Sequence, residues 1–498
     1  MELTYLLMVG DYKHFNLMKL IYNYINGKLI KPKDSEYIRV FNPSVGKVYA
    51  KCPNSGIEDL NLAVSSANKA FISWSKKTNE ERSDILFNIA DELERNKEKF
   101  SVAETTDNGK PLNDSRNIDI ERAVNNLKFY ASAIINNSSE SHSLSGNVIN
   151  YTLRDPLGIV ACISPWNYPL HLLTWKIAPA LMMGNCVIAK PSEVTPMTAY
   201  LFSKLCIKAG LPKGVLNIVH GLGNDIGDKI VKHPNIKAIS FTGGTKTGKI
   251  ISKTASSLLK KVSLELGGKN PIIIFDDCNY KEMLKTTMKS SFGNQGQICL
   301  CGERIFIQES IYNKFKKDFV RETKKLKIGN PLKLTTNQGS IVSEEHYNKI
   351  LSYFDKVKKS GAKFIAGGSY EKLKGSCSKG WFIKPSIIEN LNRSSDCYKE
   401  EAFGPVVSIH KFKNKKEVIR LANETNYGLS ASIWTSDLNT AHQVARMIDF
   451  GIVWVNTWNL RDLRTPFGGM KDSGLGREGG NESMRFFSEP KNVCINYD

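Results

Sequence analysis

Leu157-Gly158-Ile159-Val160-Ala161-Cys162-Ile163 is an apolar run that ends abruptly at Ser164-Pro165-Trp166-Asn167-Tyr168-Pro169. It is too short for a core helix and rich in β-branched residues, so it reads as a strand buried on both faces. A helix is expected from about 169 to 183, then a second short strand at Cys186-Val187-Ile188-Ala189-Lys190. The turn Pro191-Ser192-Glu193 leads into another helix. Leu216-Asn217-Ile218-Val219, Ala238-Ile239-Ser240-Phe241 and Lys261-Val262-Ser263-Leu264-Glu265 continue the alternation. Short apolar strands separated by helices predict βαβ units and a parallel sheet covered on both sides, an α/β fold.

Upstream, 56–76 and 79–99 read as amphipathic helices; Ile85, Leu86, Ile89, Ala90 and Leu93 recur at helical spacing in the second. A third helix is expected over 115–136, and the Ser- and Asn-rich stretch 137–154 reads as a hairpin or arm. Downstream, a second alternating set runs from about 270 to 470, and no solenoid period is visible.

The chain has 498 residues, 41% of them hydrophobic, enough for about three domains at ~150 residues each. Its ten cysteines form no CxxC pair and its eight histidines no HExxH, so neither a disulfide framework nor a zinc site is indicated. A reducing compartment follows, with cytoplasm the expectation. Residues 1–20 begin with an acidic residue where a signal peptide needs basic charge, and read as a loosely attached extension. No apolar run approaches the ~20 residues that span a bilayer. The net charge of +20 comes mostly from 54 lysines scattered in short groups. A role in nucleic-acid binding would need an accompanying motif, and none is present.

Chemistry concentrates in Gln297-Ile298-Cys299-Leu300-Cys301-Gly302-Glu303. A thiol is intrinsically very nucleophilic even when little of it is ionised, so one well-placed Cys can carry a reaction. Phe241-Thr242-Gly243-Gly244-Thr245-Lys246-Thr247-Gly248 follows a strand and opens a helix, where glycines let backbone N–H groups approach a phosphate. Gly221-Leu222-Gly223-Asn224-Asp225-Ile226-Gly227 is one residue too long for a dinucleotide fingerprint and reads equally as a turn. Lys190 and Glu193 lie just past a strand's C-terminal end, where open α/β sheets bind ligands. A carboxylate there would hold ribose hydroxyls and repel a 2′-phosphate, favouring NAD over NADP.

With these pieces assembled, residues 22–498 resemble the NAD(P)-dependent aldehyde dehydrogenases. The resemblance is carried by the segments already quoted, together with Leu264-Glu265-Leu266-Gly267-Gly268-Lys269-Asn270-Pro271, Glu400-Glu401-Ala402-Phe403-Gly404-Pro405 and Pro466-Phe467-Gly468-Gly469. It implies a Rossmann-type NAD-binding domain over 21–137 and 155–267, and an α/β catalytic domain over 268–478. A small β oligomerisation arm would combine 138–154 with 479–498, giving a homodimer or homotetramer. Cys299 would be the nucleophile, Glu265 the general base and Asn167 the oxyanion donor. Ser164, Pro165, Trp166, Lys190, Glu193, Gly223, Gly243, Gly244, Gly248, Leu266, Glu401 and Phe403 would form the NAD site. Gly244 stands where many members have Ser, which removes one hydroxyl donor to the pyrophosphate.

Cys299-Leu300-Cys301, Asn456-Thr457-Trp458-Asn459-Leu460-Arg461-Asp462-Leu463-Arg464 and Gly474-Leu475-Gly476-Arg477-Glu478-Gly479 narrow the resemblance to the 2-aminomuconate and 2-hydroxymuconate semialdehyde dehydrogenases. That subgroup implies oxidation of 2-aminomuconate 6-semialdehyde in tryptophan breakdown, with Arg122 and Arg461 binding the substrate carboxylate. Arg464 could replace Arg461 if the loop turns differently. The alternatives are the 2-hydroxy analogue, a broader aliphatic or retinal-type aldehyde, and an inactive protein whose charge binds nucleic acid. Cys301 reads as a small packing side chain, or as a thiol that traps oxidised Cys299.

Overall fold

The computed structural model describes residues 18–144 and 146–497. Strand Ile159–Ile163 is buried at every position and lies in the middle of an eight-stranded sheet. Its parallel neighbours are Cys186–Lys190 on one side and Ile236–Thr242 on the other. Leu216–Ile218 continues beyond the first and Lys261–Glu265 beyond the second. The chain therefore builds outward one way for three strands, then returns to the first and builds the other way. Where that order reverses, the loops after Ile163 and Thr242 diverge and leave a crevice at the carboxyl ends of the strands. Short antiparallel strands finish the sheet: Asn23–Ile25 and Lys28–Ile30 at one edge, Gly474–Leu475 at the other. Lys19 and Leu20, placed by the sequence in the loose extension, pair as a strand with Ala50 and Lys51; the rest of that extension falls mostly outside the described residues.

Helix Ile57–Trp74 packs against strand Cys186–Lys190, and Asn79–Arg95 against the helix Glu121–Ile135. Thr78 and Glu81 form a reciprocal capping box at the second of these helices. The expected third helix, 115–136, is not continuous. A short turn at Leu112–Asp114 runs into a π-helical turn at Ser115–Ile120, and only then does the α-helix Glu121–Ile135 begin. Asp119, on this wider turn, is fully buried.

A seven-stranded sheet holds residues 270–455, with Asn270–Ile274, Gly302–Gln308, Val406–Phe412 and Ser430–Trp434 as its parallel centre. Val148–Pro156 pairs antiparallel along its whole length with Ser488–Asn496, and Ser141–Ser143 adds a third short strand. The helix Gly480–Phe486, which the sequence grouped with this arm, packs into the first core through Met484.

Candidate active site

The loop that leads to Cys299 is built by an unusual backbone. Asn294, Gln295 and Gly296 all have left-handed φ, at 49°, 55° and 68°. A Cβ on Gly296 would lie 2.0 Å from the Gly404 carbonyl oxygen, so only glycine lets this loop approach the segment Glu401–Pro405. The loop is then tied from below: the Asn270 side-chain amide donates to the carbonyls of Cys299 at 2.6 Å and Cys301 at 2.9 Å. Cys301 is buried among Tyr168, Ile298, Leu300 and Leu429, as a packing side chain would be.

Cys299 opens into a cleft of about 420 Å³ lined also by Pro165, Trp166, Asn167, Gly243, Gly244, Leu266, Glu401 and Phe403. The crevice at the sheet's strand reversal thus gathers most of the expected cofactor residues around the thiol. The Asn167 amide donates to the Gln297 carbonyl at 3.1 Å, which fixes its orientation beside the loop. Phe403 has φ 53° and its ring meets Trp166 edge-on at 5.2 Å. Its loop is held by Glu303, which accepts from the N–H groups of Ala402 and Phe403 and pairs with Lys269 at 2.6 Å.

Other expected residues sit behind the lining. Lys190 and Glu193 form an ion pair at 2.7 Å just past their strand. Burial pushes the Glu193 carboxyl up, but Lys190 together with the backbone N–H groups of Glu193 and Gly223 more than offsets it and leaves the pKa below the usual value, so the carboxylate is ionised. Gly248 packs on Leu266, whose side chain a Cβ would meet at 2.4 Å, so it acts on the cleft through that contact. Gly223 is exposed at the start of a π-turn, Gly223–Gly227, whose end is buried at Ile226 and Gly227, and the long Gly221–Gly227 segment is a turn there. Ser164 is buried with its hydroxyl unpartnered, as is the Thr242 hydroxyl at the cleft wall. Such orphaned groups, the ionised Glu193 and the N-terminus of helix Thr245–Ser256 behind Gly243 and Gly244 suit a dinucleotide.

The electrostatics are those of a resting site. Burial, with Glu401 and Glu265 nearby, pushes the Cys299 thiol up to about 12, against an opposing pull from Arg461. Glu265 is 4% exposed, and burial plus the neighbouring Glu478 raise its pKa well above the carboxylate range. Glu478 pairs with the fully buried Lys176 at 2.6 Å, so Glu265 lies beside a second, compensated carboxylate. Burial and Glu303 push Glu401 up to about 8, although the Gly268 N–H donates to it at 3.0 Å.

Outside the cleft lining, Arg461 lies over the Trp175 ring at 4.0 Å and the Phe467 ring at 4.6 Å. Its Nη1 donates to His171 Nε2 at 3.1 Å, while Nη2 is buried with no partner. Burial and the positive field of Arg122 lower the Arg461 pKa to about 10. Arg122 is thus near enough for its charge to act on Arg461, and the charge of Arg461 acts in turn on the Cys299 thiol. Arg464 points elsewhere, 80% exposed and paired with Asp462 at 2.6 Å.

Sequence reasoning missed His346 and Lys349, which reach the cleft from helix Glu344–Lys359. His346 packs on Trp166 at 5.0 Å and contacts the Phe403 carbonyl through Nε2 at 2.7 Å. No motif marks either residue. Glu478 stood in a quoted motif, but its partner Lys176 is 302 residues away.

The family model for the aldehyde dehydrogenase family matches residues 30–493. The chain is 46% identical to mouse 2-aminomuconic semialdehyde dehydrogenase, covering 96% of this chain and 98% of that protein. It is 42% identical to the 2-aminomuconic 6-semialdehyde dehydrogenase of a Pseudomonas species, over 97% of this chain and 99% of that one. The structure superposes on the NAD+ complex of an aldehyde dehydrogenase from Bacillus cereus with a TM-score of 0.94, 35% identity and coverage of 98% and 99%.

Proposed function

The chain belongs to the aldehyde dehydrogenase family, and from that premise we propose that it oxidises 2-aminomuconate 6-semialdehyde to 2-aminomuconate with NAD. The observation that carries the substrate is the Arg122–Arg461 pair, with an unpartnered guanidinium nitrogen buried beside Cys299. A buried guanidinium N–H without an acceptor is costly, and a substrate carboxylate would satisfy it.

In this reading the Cys299 thiol gives its proton to solvent water and Sγ attacks the aldehyde carbon, turning the carbonyl oxygen into an alkoxide. Asn167 spends one amide hydrogen on the Gln297 carbonyl, and that bond aims the other at the alkoxide. One such donor contributes about 3–4 kcal/mol to lowering the barrier. NAD, when bound, supplies the acceptor for the hydride that this tetrahedral carbon gives up. Lys190 and Glu193 would hold its ribose, with Phe403 and Trp166 fixing the ring end. A thioester on Cys299 is left, and Glu265 takes a proton from the water that hydrolyses it, releasing the acid and the thiol. The high pKa of Glu265 makes its carboxylate a strong base once deprotonated.

The test is NADH formation, read by absorbance, over a panel of 2-aminomuconate 6-semialdehyde, its 2-hydroxy analogue, hexanal and retinal. The expected order puts the two carboxylate-bearing aldehydes first by kcat/KM, with no turnover in Cys299→Ala. Equal kcat/KM for hexanal would remove the substrate assignment, and full activity in Cys299→Ala would remove the mechanism. The 2-hydroxy analogue stands as a second reading because the chain is also 40% identical to a Pseudomonas 2-hydroxymuconic semialdehyde dehydrogenase.

A further inference from the structure

Lys110 is entirely buried, yet no step above uses it. It follows Gly109, whose φ of 88° ends the helix Lys97–Asn108. A Cβ at Gly109 would lie 2.2 Å from the Ser340 hydroxyl, so the chain can turn inward there only with glycine. The Lys110 ammonium then meets three groups. It pairs with Asp119, also wholly buried, at the π-turn Ser115–Ile120. It donates to the backbone carbonyl of Asn167 at 2.7 Å, and it sits 4.2 Å over the Tyr168 ring.

Each contact leads to a different part of the site. Asp119 is three residues before Arg122, and the two sit at the junction where the π-turn becomes the helix Glu121–Ile135. The Asn167 carbonyl also accepts from the Asn294 amide at 3.1 Å, so it is clamped between Lys110 and the nucleophile loop. Tyr168 belongs to the apolar cluster around Ile298 and Leu300 that flanks Cys299. Glu104, buried with one oxygen unpartnered, feels the Lys110 charge from behind.

We propose that Lys110 and Asp119 are a positioning pair, which sets the Asn167 amide and the Arg122 guanidinium at a fixed separation across the substrate pocket. The proposal rests on the reading of Asn167 and Arg122 given above. A pair whose task was only to fill the core would need neither the Asn167 carbonyl nor the π-turn. Small misplacements matter at such sites: a shift of about 1 Å can cost on the order of 10²-fold in rate.

Lys110→Met strips the cation from two buried carboxylates and endangers the fold. Asp119→Asn is therefore read first, because Lys110 keeps Glu104 as a counter-charge; Lys110→Arg, which keeps the charge and moves the donor, is the second variant. Both are assayed with 2-hydroxymuconate 6-semialdehyde and with hexanal, with NAD saturating and melting temperature recorded. In a folded variant, kcat should fall at least about tenfold on both aldehydes, less than the ~10²–10³ of losing an oxyanion donor outright. KM should rise about tenfold for the carboxylate-bearing substrate alone. Wild-type kcat in a folded variant, or a KM that moves equally for both aldehydes, would overturn the pairing. If wild-type protein shows no preference for the carboxylate, the substrate reading falls by itself, and the hexanal kcat alone decides whether the pair holds Asn167.

Discussion

Cys299, the proposed nucleophile, holds its thiol in the protonated form. With its thiol pushed up to about 12, the thiolate fraction is small at neutral pH and grows with every step upward in pH. The sign is that of any acid whose folded pKa is raised: protonated below, reactive above. Alkylation of Cys299 by iodoacetamide, followed by peptide mass spectrometry without nucleotide, should accelerate about tenfold per pH unit from 7 to 10. A plateau reached by pH 8 would mean a low-pKa thiol. If Arg461 holds the substrate carboxylate as proposed, Arg461→Ala removes a charge-assisted hydrogen bond worth roughly 1.5–3 kcal/mol, hence about 10–150-fold in KM for the carboxylate-bearing aldehyde. Its KM for hexanal should stay within about twofold. The same loss for both would mean that Arg461 only packs on Trp175 and Phe467.

At the scale of elements, two loops make the site, and one glycine lets them touch. Gly296→Ala would push the nucleophile loop off Gly404 and should cost on the order of 10²-fold in kcat while the melting temperature falls by only a few degrees. An unchanged kcat would show that the loop tolerates the displacement. The sequence made much of this level legible. Strand Lys261–Glu265 was read at its observed ends and the helix after Pro169 to within one residue, because apolar runs and turn residues are local signals. The π-turn at Ser115–Ile120 was not legible, since its buried positions keep ordinary helical spacing and no local pattern announces it. Cys299, Glu265 and Asn167 announced themselves through motifs. His346 did not, because a single histidine on an amphipathic helix looks like any other until Trp166 and Phe403 are seen against it.

For the whole molecule, the long pairing of Val148–Pro156 with Ser488–Asn496 leaves the outer edge of the second strand without a strand neighbour among the described residues. Such edges invite another chain, and the arm is proposed to join subunits into a dimer or tetramer. Light scattering on a chain ending at Ser488 should give a monomer where the full chain gives an oligomer; equal masses would place the interface elsewhere. Among the described residues no helix is long and apolar enough to cross a membrane. The eight-stranded sheet also takes its strands from both ends of the chain, residues 23–30 and 474–475, with the seven-stranded sheet made in between. During synthesis at ~5–20 residues per second, roughly 200 residues separate the emergence of strand Lys261–Glu265 from that of its edge partner, an interval on the order of ten to forty seconds. Glu265 therefore leaves the ribosome long before Glu478 and its neighbours can enclose it, and the nascent chain must carry an unfinished sheet edge while the entire second sheet is translated.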